Sequence, residues 1–323
     1  MPIITIFGAN GTQGSAVLEA VLADGKYTPR AASRSLDSAR CKALIARGVE
    51  IVVGNLWDKE SLKNAIRGSE AVFGLTNFWD PEIFPADPEG KGEVIQGKNL
   101  IDAAKEVDVK FFIWSSLESA TKESNGLYKH VYHIDNKVAI EEYLKASGVP
   151  YAVVLTGWFA ENLWKIGSLQ KTDTGYTIPI AKYGPDDMQS ATWVARDLGQ
   201  AALALLTQYT DPSKGVLGKS YPVISFRFTY PEFAAAIAAA INKEVTFTPL
   251  ETAGLLELDE MEFLQTEVDI SVEKFGGLTR TVNLPGVMDK IEEILEALET
   301  VDGKEAQALM EEVDPAIEKM VLS

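Results

Sequence analysis

The strongest constraint on the fold lies at the start of the chain. The apolar run Ile3–Phe7 leads directly into Gly8-Ala-Asn10-Gly11-Thr12-Gln13-Gly14, and a stretch with helical spacing, Ser15–Leu22, follows. This G-x-x-G-x-x-G turn between a strand and a helix is a variant of the dinucleotide fingerprint. Gly8 permits the tight turn, Gly11 lets the backbone approach a pyrophosphate, and Gly14 lets the helix pack closely on the strand. We therefore predict a dinucleotide site at residue 8, with the anion on the helix N-terminus.

Short apolar runs alternate with helical patterns over the first half of the chain. The runs are Ile3–Phe7, Thr28–Ser33, Val49–Val53, Ala71–Leu75, Lys110–Trp114 and Tyr151–Leu155. Strands that alternate with helices of 10–15 residues indicate right-handed βαβ crossovers and a parallel sheet covered on both faces. The pattern predicts an α/β, Rossmann-type doubly wound domain over residues 1–156.

The alternation loosens after residue 156. We interpret residues 157–323 as a smaller α/β lobe for a substrate or a partner, which does not fold independently and returns elements to the first domain. The predicted helices are Ala191–Leu206, Tyr230–Ile241, Leu256–Gln265 and Met288–Glu299. The predicted strands are Tyr221–Ser225 and Glu244–Thr248, and Thr172–Pro185 is predicted to be a loop.

Composition excludes several classes of function. The 323 residues carry a formal charge of −17, which argues against direct nucleic-acid binding because that requires a basic face. The longest apolar run, Phe233–Ile241, is about half the length of a membrane span. One cysteine and two histidines predict neither an internal disulfide nor a zinc or other metal site. With no recognisable secretory signal, we expect a cytoplasmic protein, with nuclear entry if it is a regulator.

The acidity is concentrated near the end of the chain. Residues 288–323 contain eleven acidic residues and three lysines, a formal charge of −8. Such a segment is either a solvated helical face or a docking surface for a basic protein partner.

The second predicted strand indicates which nucleotide is bound. An NAD site usually places an acid about twenty residues after the glycines, where it holds the ribose 2′-hydroxyl. This chain has Ser33-Arg34-Ser35 there and no acid. A guanidinium pairs well with a 2′-phosphate, so we predict NADP(H), with NAD(H) as the alternative. The competing interpretation makes Arg34 a solvated surface residue.

Several further motifs resemble one family. They are Val72-Phe-Gly-Leu-Thr-Asn-Phe-Trp79, Gln96-Gly-Lys98-Asn-Leu-Ile-Asp-Ala-Ala104, Phe112-Ile-Trp-Ser-Ser116, His133-Ile-Asp-Asn-Lys137-Val-Ala-Ile-Glu-Glu-Tyr143, Phe159-Ala-Glu-Asn162 and Asp197-Leu-Gly199. With the glycine turn, they make the chain similar to the NmrA-like family, an atypical short-chain dehydrogenase branch that includes the redox-sensing HSCARG proteins. The resemblance is strongest to fungal members and covers residues 3–200.

The resemblance implies a set of cofactor-binding residues. Asn10, Thr12 and Gln13 join the glycines around the pyrophosphate, and Arg34 meets the 2′-phosphate. The remaining implied residues border the adenine, run along the ribose or reach the nicotinamide half: Asn55, Leu56, Thr76, Asn77, Lys98, Ser115, Lys137 and Asn162. Two stretches depart from the family pattern. Leu36-Asp37-Ser38 stands where members often have a second basic residue, and Leu155-Thr-Gly-Trp158 replaces an R-x-P-like stretch.

The chain lacks the usual catalytic motif of short-chain dehydrogenases. None of its ten tyrosines has a lysine four residues later, and His133-x-x-x-Lys137 occupies that place. His133 could donate a proton to a carbonyl reduced by NADPH, with Lys137 beside it and Ser116 as a hydrogen-bond donor. Alternatively, Lys137 only holds the cofactor and His133 only packs.

Two functions follow from these observations. The first is a regulator that binds NADP(H) and changes its partner contacts with the state of the nucleotide. The second is an NADPH-dependent reductase of a carbonyl or an activated alkene. The missing tyrosine favours the regulator.

Overall fold

The computed structural model of the chain describes residues 1–165, 168–181, 186 and 188–250. The chain divides into two compact units. The first comprises Met1–Thr156 and Val194–Val223, and the second comprises, among the described residues, those of Gly157–Trp193 and of 224–250. The predicted helices Leu256–Gln265 and Met288–Glu299, and the acidic segment, lie outside the described residues.

The elements are numbered in chain order. The strands are β1 Ile3–Phe7, β2 Thr28–Ser33, β3 Glu50–Val53, β4 Ala71–Gly74, β5 Phe111–Ser116, β6 Tyr151–Thr156, β7 Trp158–Phe159, β8 Gln170–Lys171, β9 Gly175–Ala181, β10 Gln189–Thr192, β11 Ser220–Val223, β12 Phe226–Phe228 and β13 Glu244–Leu250. The α-helices are α1 Thr12–Asp24, α2 Ala39–Ala46, α3 Lys59–Ile66, α4 Lys91–Glu106, α5 Ala120–Glu123, α6 Tyr132–Ser147, α7 Asn162–Lys165, α8 Gly199–Gln208 and α9 Tyr230–Ile241. A π-helical segment, Val194–Leu198, precedes α8, and Pro212–Lys214 forms a 3₁₀ turn.

The first unit is built on one parallel sheet of seven strands. Their order is β11-β6-β5-β4-β1-β2-β3, so β1 lies between β2 and β4. Every described pairing in this sheet is parallel. The predicted Rossmann-type sheet is confirmed, and β1 and β2 have the predicted bounds.

Helices cover both faces of this sheet. All residues of β4 and β5 are buried, as expected for strands covered on both sides. Helix α1 packs on α8, whereas α4 packs on α3 and α6. On the α4 side, Phe112 and Trp114 of β5 form a core with Leu100, Ile140 and Leu144. The rigid sheet therefore presents the carboxyl ends of β1, β2, β4 and β5 together at one edge, where sites form in such folds.

The second unit contains two small sheets, ordered β12-β10-β7 and β13-β9-β8. Helix α9 begins with a capping box between Thr229 and Glu232, and Phe233 on this helix packs against Phe228 with ring centroids 4.5 Å apart. The helix predicted over Ala191–Leu206 is wrong at its start, because residues 191 and 192 pair with β7 and β12 as part of a strand. The loop predicted over Thr172–Pro185 contains β9, which pairs with β13. In both places long-range strand pairing overrides the local pattern.

No helix among the described residues is long and apolar enough to span a membrane.

Candidate nucleotide and active site

The glycine turn joins β1 to α1 with little room for side chains. Gly8 has a positive φ of 66°, and the Gly11 N–H donates to the Gly8 carbonyl at 2.8 Å. A Cβ on Gly14 would lie 2.6 Å from the Ala9 nitrogen and still nearer the Gly8 carbonyl. Gly14 is therefore required by the packing of α1 on the turn. Gly11 is exposed and caps α1 with extended backbone, so the N-terminus of this helix begins at an exposed residue.

Asn10 connects the glycine turn to the end of β2. The Asn10 Nδ2 lies 3.1 Å from the Cys41 Sγ and 3.4 Å from the Ser33 Oγ. The backbone carbonyl of Asn10 accepts a hydrogen bond from the Arg40 side chain. The Asn10 Oδ1 is buried and has no hydrogen-bond partner. Burial acts to raise the pKa of the Cys41 thiol, but hydrogen bonds with Ser33, Ser38 and Asn10 together outweigh it and hold the pKa below its ordinary value.

Arg34 follows β2 and forms an ion pair with Asp80. The Arg34 Nη1 lies 2.6 Å from the Asp80 Oδ2. The Arg34 side chain is 64% exposed and the Asp80 side chain 12% exposed. Asp80 comes from the loop after β4, so this ion pair joins the two strands that flank β1. We call it the Arg34–Asp80 pair.

A second charged group lies after β4 and is almost fully buried. The Lys137 Nζ contacts the Glu93 Oε1 and lies 3.3 Å from the Thr76 Oγ1, and the Thr76 hydroxyl donates to the same Glu93 oxygen at 2.8 Å. The Lys137 side chain is 13% exposed and Glu93 is completely buried. We call these three residues the Lys137 group. The other carboxylate oxygen, Glu93 Oε2, is buried without a hydrogen-bond partner.

Helix packing holds the Lys137 group in place. Glu93 lies in the first turn of α4, where the helix dipole favours a carboxylate. Asn136, next to Lys137 on α6, donates to the carbonyls of Glu89 and Gly90 at 3.0 and 3.1 Å, which ties α6 to the start of α4. The Trp114 indole on β5 donates to the Lys137 carbonyl at 3.1 Å. The position of the ammonium is therefore set by a sheet strand and two helices.

Four aromatic side chains form a cluster, and their residues lie close to Thr76 or Lys137 in the sequence. Trp79 lies 5.1 Å from Phe78, 5.3 Å from Phe84 and 5.6 Å from His133, measured between ring centroids. Phe78 is buried, whereas Trp79 is 48% exposed. His133 precedes Lys137 by one turn of α6, so the two side chains share a helix face. The cluster therefore presents a partly exposed aromatic surface on the side of α6 that carries Lys137.

Two serines end β5 at the same sheet edge. The Ser115 hydroxyl donates to the Gln13 Oε1 at 2.6 Å, which links β5 to the start of α1. The Ser116 hydroxyl is buried and has no hydrogen-bond partner. The structure thus brings Gln13 and Ser115 into contact.

The other residues implied by the resemblance occupy varied positions. Asn55 and Leu56 follow β3, where the Asn55 Oδ1 accepts from the Trp57 N–H and the Leu56 carbonyl accepts from Asn99. Asn77 is exposed and accepts from the Trp79 N–H. Lys98 is exposed on α4, with its ammonium 5.2 Å from the centre of the Tyr143 ring, so the structure does not bring it to the Lys137 group. Asn162 begins α7 in the second unit.

Sequence reasoning missed Glu93, although a signal was present. Glu93 lies in phase with the buried face of α4, which also carries Gln96, Gly97, Leu100, Ile101 and Ala104. An acid in the apolar phase of a helix indicates a buried partner of opposite charge.

Asp80 and Arg40 were also missed. Asp80 is one acid in a loop without periodicity, and no local pattern relates it to Arg34. Arg40 lies six residues after Arg34, beyond the Leu36-Asp37-Ser38 stretch, and reaches the glycine turn through the Asn10 carbonyl.

No group of three histidine, cysteine or acidic side chains suited to a metal ion occurs among the described residues.

A parallel seven-stranded sheet with a glycine turn after β1, between β1 and α1, defines a Rossmann-type α/β protein with a dinucleotide-type turn. Residues 2–315 match the model of the NmrA-like family, and the chain belongs to this family. The resemblance drawn from the sequence motifs is thereby confirmed.

Relatives and similar structures agree with this assignment. The chain is 30% identical over 262 residues to the NmrA-like family domain-containing oxidoreductase notA of Aspergillus sp. (strain MF297-2), a match that covers 76% of this chain and 75% of the relative. The fold is similar to that of NmrA, a negative transcriptional regulator solved in complex with NADP, with a TM-score of 0.65, 20% identity and 90% of each chain covered. It is also similar to the NADPH-dependent quinone oxidoreductase QOR2 of Escherichia coli, with a TM-score of 0.66, 20% identity, and 89% of this chain and 99% of that chain covered.

Proposed function

We propose that this protein binds NADP(H) at the glycine turn and uses it to reduce a carbonyl or an activated alkene. The observation that carries the proposal is the Lys137 group, a buried and charged hydrogen-bonding group at the same sheet edge as the glycine turn. Such buried charge is costly for a fold to maintain, and ionisable groups held this way cluster at functional sites. The name of the relative notA as an oxidoreductase agrees with this function.

The residues of the turn fit a dinucleotide. The exposed Gly11 and the N-terminus of α1 suit a pyrophosphate, because a helix N-terminus favours an anion and Gly14 lets α1 pack closely on the turn. Arg34 and Ser33 suit a 2′-phosphate, and we assign Thr12 and Gln13 to the pyrophosphate and Asn55 and Leu56 to the adenine. In this proposal the first unit binds the nucleotide, and the second serves the substrate or a partner.

Lys137 carries the chemistry in this proposal. Glu93 and Thr76 hold its ammonium at a defined position, so it can donate a hydrogen bond to a ribose hydroxyl or to the oxygen of the substrate. The hydride comes from the nicotinamide ring of the bound cofactor. We assign the proton donation to His133, one helical turn before Lys137, while Ser115 and Ser116 end β5.

The aromatic cluster indicates the class of substrate. A partly exposed Trp79 backed by Phe78 and Phe84 offers a flat apolar surface, which favours stacking with a planar conjugated molecule. We therefore expect aromatic aldehydes, enones or quinones to be better substrates than small aliphatic ketones.

The alternative function is a nucleotide-sensing regulator, and one observation favours it. The Lys137 ammonium already has two partners within the protein, Glu93 and Thr76, so it can act as a fixed positive contact for a nucleotide without moving a proton. This function needs a protein partner, for which the acidic segment 288–323 is the candidate surface, and entry into the nucleus if the partner is there.

Consumption of NADPH, followed by absorbance against a panel of aldehydes, ketones, enones and quinones, tests the proposal. In Lys137→Ala, with circular dichroism to verify the fold because Glu93 loses its counter-charge, we expect turnover to fall about 100-fold or more, the usual share of a positioned acid or donor, while NADPH affinity changes little. The matched control is Lys105→Ala, an exposed lysine in the last turn of α4. Binding of NADPH without turnover of any panel member would favour the regulator.

A further inference from the structure

We infer that Asp80 sets how strongly this chain prefers a 2′-phosphorylated nucleotide, because its carboxylate competes with the 2′-phosphate for Arg34. The inference rests on the proposed nucleotide site and assigns to a loop residue a role in choosing between NADP(H) and NAD(H).

The Arg34–Asp80 pair lies between the loops that flank the glycine turn. Arg34 directly follows β2, and Asp80 lies in the loop that follows β4. Because β2 and β4 flank β1, the pair connects the loops on either side of the glycine turn. A nucleotide laid along the turn with its 2′-phosphate toward β2 therefore meets a guanidinium that already has an anionic partner.

The two partners are held very differently. The Asp80 Oδ1 accepts the Glu82 N–H at 3.0 Å, and the Asp80 carbonyl accepts the N–H groups of Ile83 and Phe84 at 2.8 and 2.9 Å. The Asp80 carboxylate is thus fixed and mostly buried, whereas the Arg34 side chain is mostly exposed. Exchange of partners consequently requires movement of Arg34 and not of Asp80.

Either way of binding the phosphate carries a cost. If Arg34 turns to the phosphate and leaves Asp80, a mostly buried carboxylate loses its ion-pair partner. If the guanidinium bridges both anions, the carboxylate and the phosphate dianion repel each other. A nucleotide with a plain 2′-hydroxyl causes neither penalty. Asp80 therefore weakens NADP(H) binding selectively and brings the affinities of the two nucleotides closer.

Calorimetric titration of NADPH and NADH against the full chain tests the inference. Asp80→Asn keeps the size and the Oδ1 acceptor but removes the charge. We expect it to raise NADPH affinity about fivefold, the scale of an exposed ion pair, and to leave NADH affinity within about twofold. Asp37→Asn is the matched control, because Asp37 is an exposed acid near Arg34 that is not paired with it in the structure. This control should change both affinities by less than about twofold.

The double variant Arg34→Ala/Asp80→Asn separates competition from a general charge effect. Without the guanidinium, removal of the Asp80 charge should no longer improve NADPH binding more than NADH binding. Asp80→Ser, with circular dichroism to verify folding, must reproduce the NADPH gain if Asp80→Asn perturbs the loop.

The outcomes are distinct. A loss of NADPH affinity in Asp80→Asn, an equal gain for both nucleotides, or an equal gain in Asp37→Asn would overturn the inference. Failure of the unmodified chain to bind either nucleotide would instead refute the proposed function.

Discussion

The Arg34–Asp80 pair and the Lys137 group each contain a cation and a carboxylate, and in both the carboxylate follows β4 in the sequence. The two ion pairs differ in how much of each is exposed to solvent. Arg34 is mostly exposed and faces a mostly buried Asp80, whereas Lys137 is nearly buried and Glu93, in the first turn of α4, is completely buried. Exposed pairs contribute about 0–1 kcal/mol, while breaking one side of a buried pair costs about 3–5 kcal/mol. The first pair can therefore change partners when a ligand arrives, and the second is part of the fold.

This difference agrees with the roles proposed for the two ends of the site. A group that distinguishes a phosphate from a hydroxyl must respond to the charge of the ligand. A group that positions a reacting atom must stay in place.

Glu93→Gln should have the largest effect. It leaves the Lys137 ammonium nearly buried without its counter-charge, and we expect the free energy of unfolding to fall by about 3 kcal/mol in urea denaturation. Glu89→Gln, which affects the exposed pair with Lys91, should cost less than about 1 kcal/mol.

The double variant Glu93→Gln/Lys137→Met supplies the thermodynamic cycle. Because the two side chains are in contact, its loss should be smaller than the sum of the two single losses. Additive losses, or a Glu93→Gln cost below about 1 kcal/mol, would mean that water screens the pair.

Gly11→Val should abolish nucleotide binding while the fold remains intact. Its side chain would occupy the exposed surface assigned to the pyrophosphate. The backbone there is extended, as β-branched residues prefer, and the new Cβ would lie 3.3 Å from the Gly8 carbonyl oxygen, a tight contact that requires a small shift. We expect a loss of at least about 100-fold for both NADPH and NADH, equivalent to about 2.7 kcal/mol. Fluorescence titration measures the loss, and circular dichroism monitors the fold.

Gly14→Ala is the contrasting variant at the same turn. Its Cβ would overlap the backbone of Gly8 and Ala9, so we expect a stability loss of about 1–3 kcal/mol, the usual cost of overpacking. For the Gly11→Val prediction above, unchanged nucleotide titration curves together with an unchanged circular dichroism spectrum would mean that the nucleotide binds elsewhere.

Arg34→Ala should act on one nucleotide only. We expect NADP(H) to bind the unmodified chain about tenfold more tightly than NAD(H), about 1.4 kcal/mol, and this variant to remove most of the gap by weakening NADP(H). Calorimetry with both nucleotides measures it. A loss shared equally by NADPH and NADH would exclude Arg34 as the reader of the 2′-phosphate.

Added salt should have the smallest effect on nucleotide preference. Its effect on the Arg34–Asp80 region can be compared with its effect on the Lys137 group. Raising ionic strength from about 0.05 to 0.5 M shortens the screening length severalfold, so the NADP(H) preference should shrink about twofold to threefold. The coupling between Glu93 and Lys137, measured by the cycle above, should stay constant, because buried pairs are screened much less. Equal salt sensitivity of both quantities would contradict the difference in burial.

Much of the fold follows from local patterns. The order of strand, glycine turn and helix at the start of the chain is predicted correctly, although α1 spans Thr12–Asp24 and not only Ser15–Leu22. Each of these elements needs only short-range information: apolar residues for a buried strand and glycine where the backbone must turn or approach closely. The prediction fails around residues 191 and 192. Small and apolar residues there suit a helix or a strand, and pairing with β7 and β12 selects the strand.

The candidate site divides in the same way. The sequence by itself determined the Rossmann-type sheet, the glycine turn, the position of Arg34 after a strand and that of Lys137 on a helix, because these depend on periodicity and on spacing along the chain. Only the tertiary structure decided that Arg34 meets Asp80, 46 residues away, and that Lys137 meets Glu93, 44 residues away. The physical reason is that the partner of a charge is chosen by strand order and helix packing, which bring distant residues to one sheet edge and bury one pair while leaving the other in contact with water.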